Sequence, residues 1–161
     1  MNDVLALCTD LPERRLTKGE RLIDETVRID RLYVLKSGVL EVVRGGVRVI
    51  LIAEPGAFVG EISAVLGSLP TASVFALEDS VVHVIDDAAA TVRGRPEIAY
   101  AVAQLLARRL TAMTAYLVDI KRQYAGTETH LALMDQVLGS LMQMPPESVE
   151  PGSERKDVPD Y

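Results

Sequence analysis

The residues that could do chemistry together lie in the segment 55–76. There the sequence predicts a strand, a glycine turn, a short helix, a small-residue loop and a second strand. Backbone N–H groups at the start of a helix attract anions. Gly60 lets a ligand approach the backbone closely, and the Glu61 carboxylate can accept hydrogen bonds from a sugar hydroxyl. The small residues 71–73 follow in the loop. The pattern favours a site for a phosphorylated sugar, with a purely structural turn as the alternative.

Other chemistry-bearing residues do not form a catalytic set. Glu61 and Asp79 both have simple roles in turns and make a poor acid–base pair. His83 alternates within a strand, where we expect a hydrogen-bonded core histidine rather than a metal ligand, and His130 is expected to face solvent. Cys8 is the single cysteine, which excludes an internal disulfide and predicts a buried, inert thiol. No nucleophile elbow or phosphate-binding lysine loop occurs, so the sequence does not predict an enzyme or a metal site.

The segment must be positioned by strands, because residues 16–86 read as a series of short β-branched runs separated by turn residues. Gly45-Gly46 between two alternating runs indicates a hairpin, since glycine supplies the positive φ of a tight turn. Many short strands of this kind predict a sandwich, a roll or a barrel. The predicted strands are 33–35, 39–43, Val47–Ile52, 74–76 and 81–85.

Residues 96–124 change to a helical period, with Pro96 in the first turn. Two apolar stripes follow this helix. One stripe is a heptad seam formed by Ala103, Leu106, Leu110, Met113, Leu117, Ile120 and Tyr124. The other consists of Ile98, Val102, Leu105 and Tyr116. A helix with two apolar faces needs two partners, so we expect one face to pack on the strands and the other to form a homodimer through 96–124. Burial of both faces within one subunit is the alternative.

The remaining segments flank this core. Residues 1–15 predict a short helix or cap. Residues 125–144 predict a short apolar helix, and residues 145–161 have almost nothing to bury and predict a disordered tail. The sequence therefore divides into 1–124, 125–144 and 145–161.

Charge and hydropathy limit the partners. The formal net charge of −6 over 161 residues lowers the expectation of DNA binding, which usually needs a basic face. No run of eighteen apolar residues occurs, and the first residues lack the features of a signal peptide, so neither membrane insertion nor export is expected. A cytoplasmic location is the expectation.

Six motifs occur in a fixed order: LTKGERL at 16–22, LYVLKSGVLEV at 32–42, FVGEIS at 58–63, ALEDS at 76–80, RPE at 95–97 and LARRL at 106–110. In this order they resemble the cyclic-nucleotide-binding family, which includes the catabolite activator protein, kinase regulatory subunits and gated channels. The resemblance runs from about Leu16 to about Tyr124. It implies an α+β, mainly β fold: a double-stranded β-helix or jelly-roll-like β-roll, followed by a long dimerisation helix and a short C-terminal helix.

The same resemblance implies a ligand, cyclic AMP or cyclic GMP, and no other cofactor. Gly60 and Ile62 would offer backbone amides, and Glu61 would bind the ribose 2′-hydroxyl. Thr71 and Ser73 would lie by the phosphate and the base, and Met113 and Thr114 would cover the base. The full implied set is Val59, Gly60, Glu61, Ile62, Ser63, Thr71, Ala72, Ser73, Met113 and Thr114.

One departure from the family pattern concerns the phosphate. The family normally has an arginine soon after the short helix, ion-paired to the cyclic phosphate. A gapless alignment puts Pro70 at that place, and alignment of the prolines puts Thr71 there. Loss of a charge-assisted contact of about 1.5–3 kcal/mol would weaken binding by roughly tenfold to more than a hundredfold.

The favoured hypothesis is a regulatory, non-enzymatic module that senses a cyclic nucleotide and signals through its long helix. The first alternative is a ligand-free, dimeric interaction module that uses the apolar helix at 130–144 to bind a protein partner. The second is a truncated transcription regulator of the catabolite-activator type. For that alternative the sequence offers no helix-turn-helix and no basic tail, so we expect no DNA binding.

Overall fold

The structure, a computed structural model, describes residues 2–123 and residue 139. Its helices are α1 (Asn2–Ala6), α2 (Glu61–Leu66), α3 (Ala88–Gly94) and α4 (Pro96–Gln123). Its strands are β1 (Glu13–Leu16), β2 (Arg21–Ile23), β3 (Arg31–Ser37), β4 (Leu40–Arg44), β5 (Val47–Ile52), β6 (Phe58–Val59), β7 (Ser73–Ala76) and β8 (Ser80–Asp86).

The strands form two four-stranded sheets whose neighbouring strands are all antiparallel. The first sheet has the order β1-β8-β3-β6, and the second has the order β2-β7-β4-β5. Successive strands of the chain often belong to different sheets, as in a jelly roll. This arrangement, with a long helix after the strands, confirms the predicted mainly β roll.

The main core lies between the two sheets. Alternate residues of each strand point into it, because successive side chains of a strand face opposite sides. In β3, for example, Tyr33 and Leu35 belong to this core, together with Val74 of β7 and Val82 of β8. The intervening residues Leu32 and Val34 are equally buried, so both faces of the first sheet are covered.

A second apolar cluster covers the outer face of the first sheet. It joins Phe58 of β6 and Ala64 of α2 to Ile98 and Val102 of α4. Cys8 belongs to the same cluster, and burial raises the pKa of its thiol. This confirms the prediction of a buried cysteine and the prediction that one face of the long helix packs on the strands.

Glycines occupy two turns in which the backbone needs a positive φ. At the β4–β5 hairpin, Gly45 and Gly46 have φ values of 54° and 80°, which confirms the predicted glycine turn. The chain crosses from one sheet to the other between β3 and β4. There Gly38 has a φ of 94°, and a Cβ at this position would lie 2.6 Å from the Cα of Ser80. Only glycine fits that crossing.

The strands begin earlier in the chain than the sequence predicts. The first strand begins at Glu13, before the predicted start at residue 16, because Arg14 and Arg15 pair with Val82 and Val81 of β8 although they are polar. The other predicted runs lie within observed strands, except that Val39 precedes the start of β4. Strand β5 has the predicted bounds, Val47–Ile52.

The chain divides into two compact units, the first ending at Arg108 and the second beginning at Arg109. In the second unit, Leu110, Met113 and Tyr116 of α4 are between 47% and 67% exposed. Dimerisation through 96–124 stays a prediction. The predicted helix at 125–144 lies outside the described residues except for residue 139, and the predicted tail at 145–161 lies outside them entirely.

Candidate ligand-binding site

The segment 58–73 forms a strand, a turn, a helix and a loop, as the sequence predicts. Gly60 links β6 to α2 with a φ of 90°, a left-handed conformation that side chains disfavour. A Cβ on Gly60 would also lie 3.2 Å from the carbonyl oxygen of Arg31 and 3.4 Å from the Ile23 side chain. Both the backbone conformation and the close packing therefore call for glycine here.

The six-residue helix α2 is held at both ends. The Ser63 hydroxyl donates to the Gly60 carbonyl oxygen at 3.0 Å, and the Gly67 amide donates to the Ser63 carbonyl oxygen at 2.8 Å. Glu61 opens the helix and is only 3% exposed, whereas Ile62 is half-buried. A carboxylate is seldom placed inside a protein without a polar role, because its desolvation is costly.

The loop after α2 leads back into the second sheet. Thr71 is exposed, Ala72 is half-buried and Ser73 is buried. The Ser73 hydroxyl oxygen accepts a hydrogen bond from the Glu25 amide at 3.1 Å. Ser73 therefore holds the preceding β2–β3 loop against this segment, in addition to any contact with a ligand.

The β2–β3 loop, residues 24–30, is ordered by Asp24. Its carboxylate accepts hydrogen bonds from the Thr26 hydroxyl at 2.7 Å and the Thr26 amide at 2.9 Å, and it pairs with Arg21 at 2.8 Å. These contacts, the Thr26 hydroxyl first, hold the pKa of Asp24 below its ordinary value. At the far side of the loop, the Arg28 guanidinium donates to the Gly67 carbonyl oxygen at the end of α2.

Sequence reasoning missed this contact of Arg28 with α2. The signal that could have suggested it is compositional: residues 49–92 contain no lysine and no arginine. Any positive charge at the segment 58–73 must therefore come from elsewhere in the chain.

The structure brings most of the predicted site residues together. Val59, Gly60, Glu61, Ile62 and Ser63 run continuously from β6 into α2. Thr71, Ala72 and Ser73 follow in the loop and the first residue of β7. Their roles toward a ligand stay predictions.

The two predicted helix residues belong to the second unit. Met113 is 57% exposed, and the Thr114 hydroxyl donates to the Leu110 carbonyl oxygen of its own helix at 2.9 Å. Their role as a cover for the base stays a prediction.

His83 differs from the sequence expectation. It is 4% exposed, yet its Nδ1 atom has no hydrogen-bond partner among the described residues. The prediction of a hydrogen-bonded core histidine is wrong at this atom; across the sheet, the backbone partners of His83 are Glu13 of β1 and Val34 of β3. In the described part of the chain, no group of three or more metal-ligating side chains is present.

A groove of about 450 Å³ lies in the first unit beside α1 and α4. Val4 of α1, Phe58 of β6, and Tyr100 and Leu105 of α4 are among its walls. None of the predicted ligand residues lines it. Within the described range, no helix combines the length and the apolarity needed to cross a bilayer.

The profile of the cyclic nucleotide-binding domain family matches residues 13–91. The matched range contains all eight strands, α2 and the start of α3, and so includes the whole segment 58–73. Among curated proteins, no relative matches the sequence significantly.

Solved structures give the same fold. The catabolite activator protein of Thermus thermophilus is 23% identical, with a TM-score of 0.60, covering 88% of this chain and 84% of its own. The N-terminal domain of a transcriptional regulator from Streptomyces coelicolor A3(2) is 25% identical, with a TM-score of 0.52, and the match covers 70% and 86%. A protein from a cyclic-GMP-dependent pathway of bacterial phytopathogenesis is 18% identical, with a TM-score of 0.57, and the match covers 70% and 94%.

Proposed function

Residues 13–91 form a domain of the cyclic nucleotide-binding family, and on that premise we propose that the chain is a regulatory module that binds a cyclic nucleotide. The ligand is cyclic AMP or cyclic GMP, and the site is the segment 58–73, which we call the cassette. In this proposal its role is regulatory rather than catalytic.

The observation that carries the proposal is the buried carboxylate directly after the left-handed glycine. Gly60 adopts a φ of 90°, and Glu61, the next residue, is 3% exposed at the first position of α2. Outside water, a hydrogen bond from a ribose hydroxyl to a carboxylate is stronger than in bulk solvent. Glu61 is therefore suited to recognise the 2′-hydroxyl, and the amides after Gly60 lie beside it.

The same fold offers a path from the cassette to α4. Ala64 of α2 and Phe58 of β6 share one buried cluster with Ile98 and Val102 of α4. Close-packed side chains transmit small displacements, because such a core has few voids to absorb them. We infer that a ligand which shifts α2 repacks Ile98 and Val102 and so changes the population of α4 orientations.

A second candidate function is a ligand-free interaction module. The absence of lysine and arginine from residues 49–92 favours it, because a cyclic phosphate is an anion. In this candidate the cassette is only structural, and a homodimer through 96–124 or a protein partner at 130–144 carries the function. DNA binding and membrane binding are not part of either candidate, and a cytoplasmic location stays a prediction.

Isothermal titration calorimetry with cyclic AMP and cyclic GMP tests the proposal. We expect the intact chain to bind one of them and Glu61→Gln to bind about 10- to 150-fold more weakly, because one hydrogen bond to a charged group is lost. The matched control is Glu54→Gln, since Glu54 is an exposed glutamate just before the cassette.

A 2′-deoxy cyclic nucleotide distinguishes a ribose contact from a folding defect. If Glu61 binds the 2′-hydroxyl, the deoxy ligand and Glu61→Gln remove the same interaction, and their effects do not add. The absence of both heat and a melting-temperature shift at millimolar ligand would contradict the proposed function and favour the interaction module.

A further inference from the structure

A cyclic nucleotide brings one negative charge to a cassette that has no cation of its own. Residues 49–92 include six acidic residues, among them Glu61, and no lysine or arginine. A guanidinium group strengthens phosphate binding in a partly buried site, because it can donate hydrogen bonds to two phosphate oxygens at once. If the cassette binds a cyclic nucleotide, as proposed above, the positive charge must come from another part of the chain.

Besides Arg28, the β2–β3 loop approaches the cassette at two points. The Glu25 amide donates to the Ser73 hydroxyl oxygen at 3.1 Å. The Ile29 side chain lies 3.9 Å from the position that a Cβ on Gly60 would occupy. Arg28 lies between Glu25 and Ile29 in sequence. The loop therefore follows the cassette from the glycine turn to its last strand.

Arg28 reaches the cassette with its charged end. Its guanidinium donates to the carbonyl oxygen of Gly67, three residues before Pro70 and four before Thr71. Those are the two positions where the family pattern would put an arginine. The cation of Arg28 thus lies at the start of the loop that lacks an arginine.

The positive charge of Arg28 is also not paired with a carboxylate of any described residue. Two neighbouring arginines are used in ion pairs, Arg21 with Asp24 and Arg31 with Asp86, each at 2.8 Å. Arg28 is exposed and forms no ion pair with another described residue. A guanidinium has five N–H donors, so it can keep its contact with Gly67 and still donate to an anion.

We propose that Arg28 binds the phosphate of the cyclic nucleotide and takes the place of the missing cassette arginine. The cation then comes from the β2–β3 loop, 39 residues before Gly67. Ligand binding ties this loop to the cassette more tightly, because Arg28 would bridge the phosphate and the end of α2. Arg28 thereby selects phosphorylated over neutral nucleosides.

The test compares cyclic AMP with adenosine, both measured by displacement of a fluorescent cyclic nucleotide. Adenosine keeps the base and the ribose but has no phosphate. We expect Arg28→Gln to weaken cyclic AMP by about 10- to 150-fold, as for the loss of a charge-assisted hydrogen bond, and to change adenosine by less than about twofold. The control Arg44→Gln removes the same charge from the exposed end of β4 and should leave both affinities unchanged.

A second variant tests whether Arg28→Gln acts through the lost charge or through a disrupted loop. Thr71→Arg, added to Arg28→Gln, puts a guanidinium back at a family position and should restore most of the affinity for cyclic AMP. Urea unfolding of each variant reports whether the fold is intact.

The outcomes separate this inference from the proposed function. If the intact chain binds cyclic AMP and Arg28→Gln binds it equally well, Arg28 is not the phosphate ligand and the proposed function stands. The same conclusion follows if Arg28→Gln weakens cyclic AMP and adenosine alike. If the intact chain binds no cyclic nucleotide, both the proposed function and the role of Arg28 are wrong.

Discussion

Replacement of Gly38 by alanine should destabilise the domain more than any ordinary surface substitution. The added Cβ would lie 2.2 Å from the Ser80 hydroxyl oxygen, 2.6 Å from its Cα and 2.7 Å from its Cβ. The backbone of β8 must therefore move. The Ser80 hydroxyl also accepts a hydrogen bond from the Val39 amide at 3.1 Å and donates one to the Glu78 carbonyl oxygen at 2.8 Å.

The magnitude follows from three costs. A side chain at a φ of 94° costs about 1–2 kcal/mol. Overpacking against Ser80 costs about 1–3 kcal/mol. Weakened hydrogen bonds of Ser80 add about 1 kcal/mol. We expect Gly38→Ala to lower the free energy of unfolding by about 3–6 kcal/mol, a large share of the roughly 5–15 kcal/mol that holds a domain together.

Urea unfolding followed by circular dichroism measures this difference. The control is Gly46→Ala, because Gly46 has a φ of 80° and no atom within 4 Å of an added Cβ. It should lose only the backbone cost of about 1–2 kcal/mol. Removing the hydroxyl by Ser80→Ala should not rescue Gly38→Ala, since the Cα of Ser80 stays in place. Equal destabilisation of Gly38→Ala and Gly46→Ala would refute the steric reasoning.

Two further results are expected for stability. Hydrogen bonds from Lys36 to Glu13 and from Arg14 to Glu20 are the main causes that lower the pKa of each carboxyl below its ordinary 4.5. A carboxyl with a lowered pKa stabilises the folded state above its unfolded pKa, and this contribution is lost as the pH falls through the folded pKa. The free energy of unfolding should therefore decrease below about pH 4.5, and a flat profile in urea titrations down to pH 3 would contradict this. Replacing His83 by leucine removes a buried Nδ1 atom without a described partner, so stability should stay equal or rise by up to about 1 kcal/mol; a loss above about 2 kcal/mol would show that the ring has an essential contact.

Local patterns account for most of the fold. Strand β5 was predicted with its observed bounds, Val47–Ile52, because glycines end it on one side and β-branched residues fill it. Most of strand β1 lies in residues 1–15, where the sequence predicts a helix or cap, since Glu13, Arg14 and Arg15 carry no apolar alternation and become a strand only by pairing with β8. Pairing across the chain is a tertiary effect that a local pattern does not contain.

In the site, too, local patterns predict some residues, while others depend on contacts between distant parts of the chain. Gly60 and Glu61 could be singled out because a glycine turn followed by a carboxylate is a local signal. The approach of Arg28 to Gly67 joins residues 39 positions apart and depends on how the β2–β3 loop folds over α2.

The central claim is that the cassette binds a cyclic nucleotide, and equilibrium dialysis of the intact chain tests it most directly. Labelled cyclic AMP and cyclic GMP are compared with linear 5′-AMP at one protein concentration. Because the family profile matches one stretch, residues 13–91, we expect saturable binding of one cyclic nucleotide per chain. Glu61→Gln should abolish or strongly weaken this binding, and linear 5′-AMP should bind more weakly. No retention of either cyclic nucleotide at millimolar concentration, or equal retention of the linear one, would contradict the account.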